Sequence, residues 1–221
     1  FNKLPDFTRP DELEYLERNA DGSGRSIFQC SQRMLRSILK QYRCGVYVDY
    51  PTVAASKNRA EDKIKGAYPM IHILEATVIE DWDHIVVGNQ RKLCFVKIRE
   101  SVSERKPDGF GSKTQDQYRV LRLEQSEQGF VYTVQVYILD KDKNWVAQEK
   151  IIPTDYSGTA WEYIPFTLCG AVDNTDEINN APLLDLSDLN LAHYRNSADV
   201  EDSGFIIGQL TFSLHDLKID Q

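Results

Sequence analysis

Three strings in this sequence carry residue types that could do chemistry. In Asn19-Ala20-Asp21-Gly22-Ser23-Gly24, oxygen donors alternate at Asn19, Asp21 and Ser23, and Gly24 stands where a calcium loop turns sharply. The twelfth position should supply a bidentate carboxylate, and here it is Cys30. Without that ligand the string reads as a turn leading into a helix. Gly109-Phe110-Gly111-Ser112-Lys113-Thr114 has the glycines and lysine of a phosphate loop. Ser112 breaks the required Gly-Lys-Ser/Thr ending and no apolar strand leads directly into it, so a solvated loop tip is expected. Glu80, Asp81 and Asp83 surround Trp82, a charge run expected at a helix end.

The four histidines, His72, His84, His193 and His215, form no HxH, HExxH or HxxxH pattern, so no zinc site is indicated. His72, between Ile71 and Ile73, is expected to be a strand residue facing away from its neighbours. His193, beside Tyr194 in a helix, reads as a surface or capped side chain. Cys30, Cys44, Cys94 and Cys169 make no CxxC pair, and they read as reduced, mostly buried thiols of a cytosolic protein. No GxSxG elbow is present. The reading is of no catalytic residue, no metal and no cofactor.

Composition narrows the partners. A formal charge of −8 means that the chain as a whole lacks the concentrated basic surface of a protein that grips DNA. The basic residues are dispersed, with no run of four, although an acidic average leaves room for one local basic patch. No apolar run approaches the roughly 18 residues of a membrane span. The opening Phe1-Asn2-Lys3-Leu4-Pro5-Asp6 has no initiator Met, charged n-region or apolar h-region, which suggests a piece of a longer chain without a signal peptide.

The elements follow from periodicity. Residues 1–25 are polar, with a short helical stretch from Asp11 to Arg18. Ser26 and Gln29 form a capping box for a helix whose apolar face is Ile27, Cys30, Met34, Leu35, Ile38 and Tyr42. Arg33, Arg36 and Lys40 fall largely on its other side. Gly45 is expected to end the helix in a left-handed conformation before a strand at Val46–Val48. A short helix is expected over Lys57–Lys65, a strand over Met70–Leu74 and a short helix over Ala76–Trp82. From Ile85 to Ile152 the period is two, with strands at Leu93–Ile98, Tyr118–Leu123, Phe130–Leu139 and Trp145–Ile152 in an antiparallel meander. Ser101–Asp116 reads as a mobile loop. Tyr163–Cys169 is a short apolar run. A second helix is expected over Leu184–Asp199, ended by Ser203-Gly204, packed on the sheet chiefly through Leu189 and Tyr194 and followed by strand segments over Phe205–Leu214. The fold class is therefore α+β, an antiparallel sheet with flanking helices: an N-terminal polar segment over 1–25 and one domain over 26–221.

Several strings resemble a family of tailed-phage portal-like proteins. They are Leu13-Glu14-Tyr15-Leu16-Glu17-Arg18-Asn19-Ala20-Asp21-Gly22, Tyr42-Arg43-Cys44-Gly45-Val46-Tyr47-Val48-Asp49-Tyr50-Pro51, and Ala67-Tyr68-Pro69 with Ile79-Glu80-Asp81-Trp82. The most specific runs from Ala181-Pro182-Leu183-Leu184-Asp185-Leu186 to His193-Tyr194-Arg195-Asn196-Ser197-Ala198-Asp199, with Ala181 in place of the family's first Pro. The resemblance covers about Leu13 to Gly208, and Ser213–Gln221 does not match. It implies a wing-like region without stem, clip or crown, from a subunit of a dodecameric ring at the capsid vertex of a virion. The implied partners are the terminase large subunit, capsid or scaffold protein and head-completion or tail adaptor proteins. DNA would pass through the ring without sequence-specific binding, and no membrane is involved. It carries no catalytic residues. Leu189, Asn190, Tyr194, Arg195, Asn196 and Asp199 are the candidates for structural or subunit contacts, the last four forming a dense polar and aromatic set. A non-enzymatic adaptor module sharing the wing fold is the alternative.

The incomplete motifs lead to one expected outcome: the purified chain neither cleaves DNA with divalent metal nor turns over ATP. Either activity surviving rigorous purification would overturn this reading.

Overall fold

A computed structural model describes residues 6–50, 61, 66–107, 109–127, 129–140, 143–155 and 157–208. The chain divides into two compact units, 1–181 and 182–221. Among its described residues the first holds the α-helix α1 (Ile27–Gln41) and the strands β1 (Arg43–Asp49), β2 (Met70–Glu75), β3 (Ile79–Val87), β4 (Gln90–Arg105), β5 (Ser112–Ser126), β6 (Gly129–Leu139), β7 (Trp145–Ala147) and β8 (Phe166–Gly170). The second holds α2 (Leu184–Gly208). The fold is α+β, with a small sheet in the order β2-β1-β8 and a large sheet in the order β3-β4-β5-β6-β7. Every pairing is antiparallel, and the large sheet is a meander.

The small sheet is the middle layer, and the alternation of side chains along β1 shows why. Cys44 and Val46 face α1 and the N-terminal segment, where they meet Leu16, Ala20, Cys30 and Ile73. Tyr47, one residue on, faces the large sheet and packs among Val96, Ile98, Leu121, Tyr132, Val134 and Phe166. A strand buried on both faces needs this double use of its period. His72 lies on the opposite side of β2 from Ile71 and Ile73, as alternation predicts, and stacks on Tyr47 at 6.2 Å between ring centroids.

α1 begins as its sequence predicts. Ser26 Oγ accepts from the Gln29 backbone N–H, and Gln29 Oε1 accepts from the Ser26 backbone N–H. Its end differs from the expectation. Tyr42, not Gly45, carries the positive φ of 70° that stops the helix. An aromatic residue in that region is strained. Here it is held by burial and by Asn179 Nδ2, which donates to its hydroxyl at 3.0 Å. Gly45 sits inside β1 for a different reason: a Cβ there would lie 2.6 Å from the Phe166 ring and 2.8 Å from Ile79 Cδ1.

Further expectations are corrected. Residues 76–82 are not one short helix, since a 3-10 turn over Ala76–Val78 passes directly into β3. Glu80 does not end a helix but accepts from Lys97 Nζ of β4 at 2.9 Å and from the Tyr118 hydroxyl of β5 at 3.2 Å. Ser101–Asp116 is not a loop: β4 and β5 stay in register from Phe95↔Arg122 to Arg105↔Ser112. β4 runs to Arg105 and β5 starts at Ser112, with Lys106 N–H donating to Gly111 O at 3.2 Å between them. Apart from Val102, the paired residues of this arm are polar on both faces, so they carry no apolar alternation to read. Finally, Ser203-Gly204 does not end the second helix, and 205–208 are helical. Ser203 Oγ instead bonds back to Asp199 O at 2.7 Å, within the helix. The rest of the expected strand over Phe205–Leu214 lies outside the described residues, as does the short helix expected over Lys57–Lys65 apart from the helical Glu61.

Gly45→Ala should lower thermal stability by about 1–3 kcal/mol, the usual cost of overpacking. Chemical denaturation of the variant beside the parent chain measures it, and an unchanged midpoint would show that Phe166 can move away freely.

Candidate interaction surface

The six residues singled out for subunit contacts all lie on α2, and no residue of this helix is buried. Leu189 and Tyr194 are 67% and 72% exposed, which corrects the expectation that they are buried. The helical positions explain why no single face could be read. At about 100° per residue, Leu184, Leu191, Ala198 and Phe205 recur every seven residues along one side, with Tyr194 beside them. Leu186, Val200 and Ile207 share a second seven-residue series with His193, two positions later and therefore about 200° around the helix, with Leu189 adjoining. Asn190, Arg195, Asn196 and Asp199 are exposed polar positions of the same helix. Leu184, Leu186, Leu189, Leu191, Tyr194, Val200, Phe205 and Ile207 are all exposed. The helix thus carries two apolar stripes on opposite sides.

Within the first unit two polar clusters could in principle do chemistry. The first lies between the sheets. The hydroxyls of Tyr47 and Tyr132 are 3.1 Å apart and buried. Arg119, on β5, donates to Glu100 Oε1 at 2.6 Å and to Asp49 Oδ2 at 3.4 Å, and Gln117 donates to Glu100 Oε2 at 2.8 Å. Burial, reinforced by the charge of Asp49, pushes the Tyr47 hydroxyl up to about 12, and burial pushes Tyr132 up as well. Burial disfavours the Arg119 charge, but the Glu100 hydrogen bond and the charges of Glu100 and Asp49 outweigh it and raise the guanidinium. Both tyrosines are therefore protonated hydrogen-bonding groups, not nucleophiles or bases at neutral pH.

The second cluster fastens the segment that follows β8. Arg91 donates both guanidinium nitrogens to Asp176, at 2.9 and 2.7 Å. Arg43 donates to the Asp176 carbonyl at 3.2 Å while its guanidinium lies 4.2 Å from the Trp82 ring centroid. His84 Nδ1 is buried 3.5 Å from Asp176 Oδ2, without a hydrogen bond. Burial pushes the Asp176 carboxyl up, but a backbone hydrogen bond and the charges of Arg91 and His84 outweigh it and hold the group below the ordinary range. This cluster pins residue 176 to β1, β3 and β4, and Asn179 adds its bond to Tyr42.

The strings with motif character fall as follows. Asn19–Gly24 is a turn whose oxygens are already used: Asp21 Oδ1 accepts from the Ser23 and Arg25 backbone, Asp21 Oδ2 pairs with Arg25 at 2.6 Å, and Asn19 Oδ1 accepts from Gly24. Gly109–Thr114 forms the tip of the β4–β5 hairpin and the start of β5. All four cysteines are free thiols, Cys30 and Cys44 buried and Cys94 and Cys169 half-buried. Cys44 and Cys169 face each other across β1 and β8, a pairing that spacing could not reveal, and burial with the neighbouring Cys169 pushes the Cys44 thiol up to about 12. Among the described residues, no group of three metal-ligating side chains comes together. No described helix is long and apolar enough to cross a membrane. No family model and no curated protein matches the chain.

The Asp176 cluster makes a pH-dependent prediction. Because its folded-state pKa is depressed, the stability it contributes is present above the ordinary Asp value of about 3.9 and is lost as pH falls through the folded value. Asp176→Asn should therefore destabilise the chain near neutral pH, and the gap from the parent should close on acidification. A gap that stays constant in thermal melts down to about pH 2 would assign the effect to packing alone.

Proposed function

We propose that the chain is the wing-like part of a portal-type ring subunit, a non-enzymatic structural protein whose α2 mediates contact between neighbouring copies. The observation that carries this reading is the pair of apolar stripes on opposite sides of one exposed helix. A helix with one neighbour needs one stripe. A helix that sits between two different neighbours needs two, and a head-to-tail arrangement in which each copy presents both sides closes into a ring when the rotation allows. Solvent-exposed apolar surface of this extent marks an interaction site in soluble chains.

Further support comes from where the residues with family resemblance lie. The most specific string, Ala181–Asp199, spans the start of α2 and supplies Leu184, Leu191 and Tyr194 to one stripe and Leu186 and Leu189 to the other. The buried tyrosine pair and the Asp176 cluster serve as scaffold, because the two hydroxyls partner each other and the Asp176 carboxylate is already held by Arg91. In this reading the partners are further copies of the chain, the packaging motor, and capsid and tail proteins, with DNA passing through the ring in the virion.

Electron microscopy of the full-length protein tests the proposal. Rings are expected. Leu191→Asp and Leu186→Asp, which wound one stripe each, should both abolish rings while changing the thermal stability of the sheet unit by no more than about 0.5 kcal/mol, as for ordinary surface changes. Monomers in the unaltered protein would favour an adaptor module. Rings that survive both substitutions would remove α2 from the interface.

A further inference from the structure

The chain is acidic overall, yet one surface gathers uncompensated positive charge. An open cleft of about 500 Å³ runs beside α1. Arg33, Arg36 and Lys40 line it at spacings of three and four residues, so they stand one above another on one side of the helix. Among the described residues none of the three takes part in an ion pair. Arg25 at the cleft's end is already paired with Asp21, and Glu75, from the end of β2, is the one carboxylate in the lining.

The neutral groups point the same way. Gln29 spends its oxygen on the Ser26 N–H at 2.9 Å, and Gln41 spends its oxygen on the Ala76 N–H at 3.1 Å. Both amides are thereby oriented with their NH₂ groups left to donate. The cleft is therefore rich in donors and poor in acceptors, and it fits a ligand that only accepts: an oxyanion carried repeatedly along a rod. Guanidinium groups suit phosphate in particular, through their fork of donors. No aromatic side chain lines the cleft, so it offers no platform on which single-stranded bases could stack.

We infer that this cleft along α1 is a contact site for the phosphate backbone of duplex DNA, engaged without sequence preference. The contact is weak and salt-sensitive, because only three free cations contribute and the remainder of the chain repels a polyanion. It rests on the proposed reading for the presence of DNA and deepens it by naming where the chain touches the duplex; because it needs no ring assembly and does not involve α2, its failure and the failure of that reading are distinguishable.

The test is fluorescence anisotropy of the whole chain with two labelled duplexes of unrelated sequence, titrated between about 50 and 200 mM salt. The expected result is equal binding of both duplexes at low salt, with a log–log salt slope of roughly −3, for three neutralised phosphates. Arg33→Glu, Arg36→Glu and Lys40→Glu together should weaken binding at least about tenfold and flatten the slope, with circular dichroism and melting temperature unchanged. Lys113→Glu, at the tip of the β4–β5 hairpin, should leave binding as it was. The inference is overturned if the triple variant binds like the parent, if one duplex is strongly preferred, or if polyglutamate or inorganic pyrophosphate binds the cleft while duplex DNA does not. Loss of DNA binding in a variant that still forms rings separates this site from the assembly surface.

Discussion

The first unit depends on one buried polar contact, the hydroxyl pair of Tyr47 and Tyr132. Tyr47 belongs to the central strand of the small sheet, and Tyr132 to the large sheet. Two sheets that share an apolar interface can slide, because dispersion and water exclusion have no direction. A hydrogen bond in that interface has a direction, and leaving either hydroxyl unpartnered in the core costs about 1–3 kcal/mol. Arg119, Glu100 and Asp49 extend the same connection toward the edge of the interface, with the guanidinium from the large sheet reaching a carboxylate of the small one. The polar groups thereby set how the sheets align, while Val96, Ile98, Leu121 and Phe166 supply the burial.

That alignment has consequences for the other layers. With Tyr47 committed to the large sheet, Cys44 and Val46 must face α1, and the helix covers them with Ile27, Cys30, Met34 and Ile38. The opposite side of α1 is then left to solvent, and it is there that Arg33, Arg36 and Lys40 line up. A close approach at Gly45 completes the packing, since the Phe166 ring occupies the space a side chain would take. Burial of one helical face and display of charge on the other are thus two results of the same register.

The two surfaces offered for interaction differ in kind. On α2 the residues are apolar and lie on two sides of the helix, which suits neighbours that exclude water from it. Along α1 they are cationic and surround an open cleft, which suits a hydrated polyanion that can be released. On the proposed reading, such a division belongs to a subunit that holds its neighbours firmly and touches DNA lightly. The fastening of Asp176 and Asn179 to the sheet unit also has a place in this scheme, because it fixes the chain just before α2 begins.

Sequence alone determined the elements whose signals are local. The Ser26–Gln29 capping box starts α1 because both bonds lie within four residues, and β6 and the cores of β4 and β5 alternate because each has a buried face. The α+β class and the meander followed from those signals. Tertiary structure decided what depends on partners remote in the chain. Gly45 looks like a helix stop until Phe166 is placed against it, and Glu80 looks like a helix end until Lys97 and Tyr118 stand beside it. The arm at 101–116 is held by backbone pairing, which polar side chains do not announce. The Tyr47–Tyr132 pair, the Cys44–Cys169 pairing and the Arg91–Asp176 fork join residues 85, 125 and 85 positions apart. No spacing rule reaches that far, because side-chain periodicity shows which face a residue takes, and only the folded chain shows what that face meets.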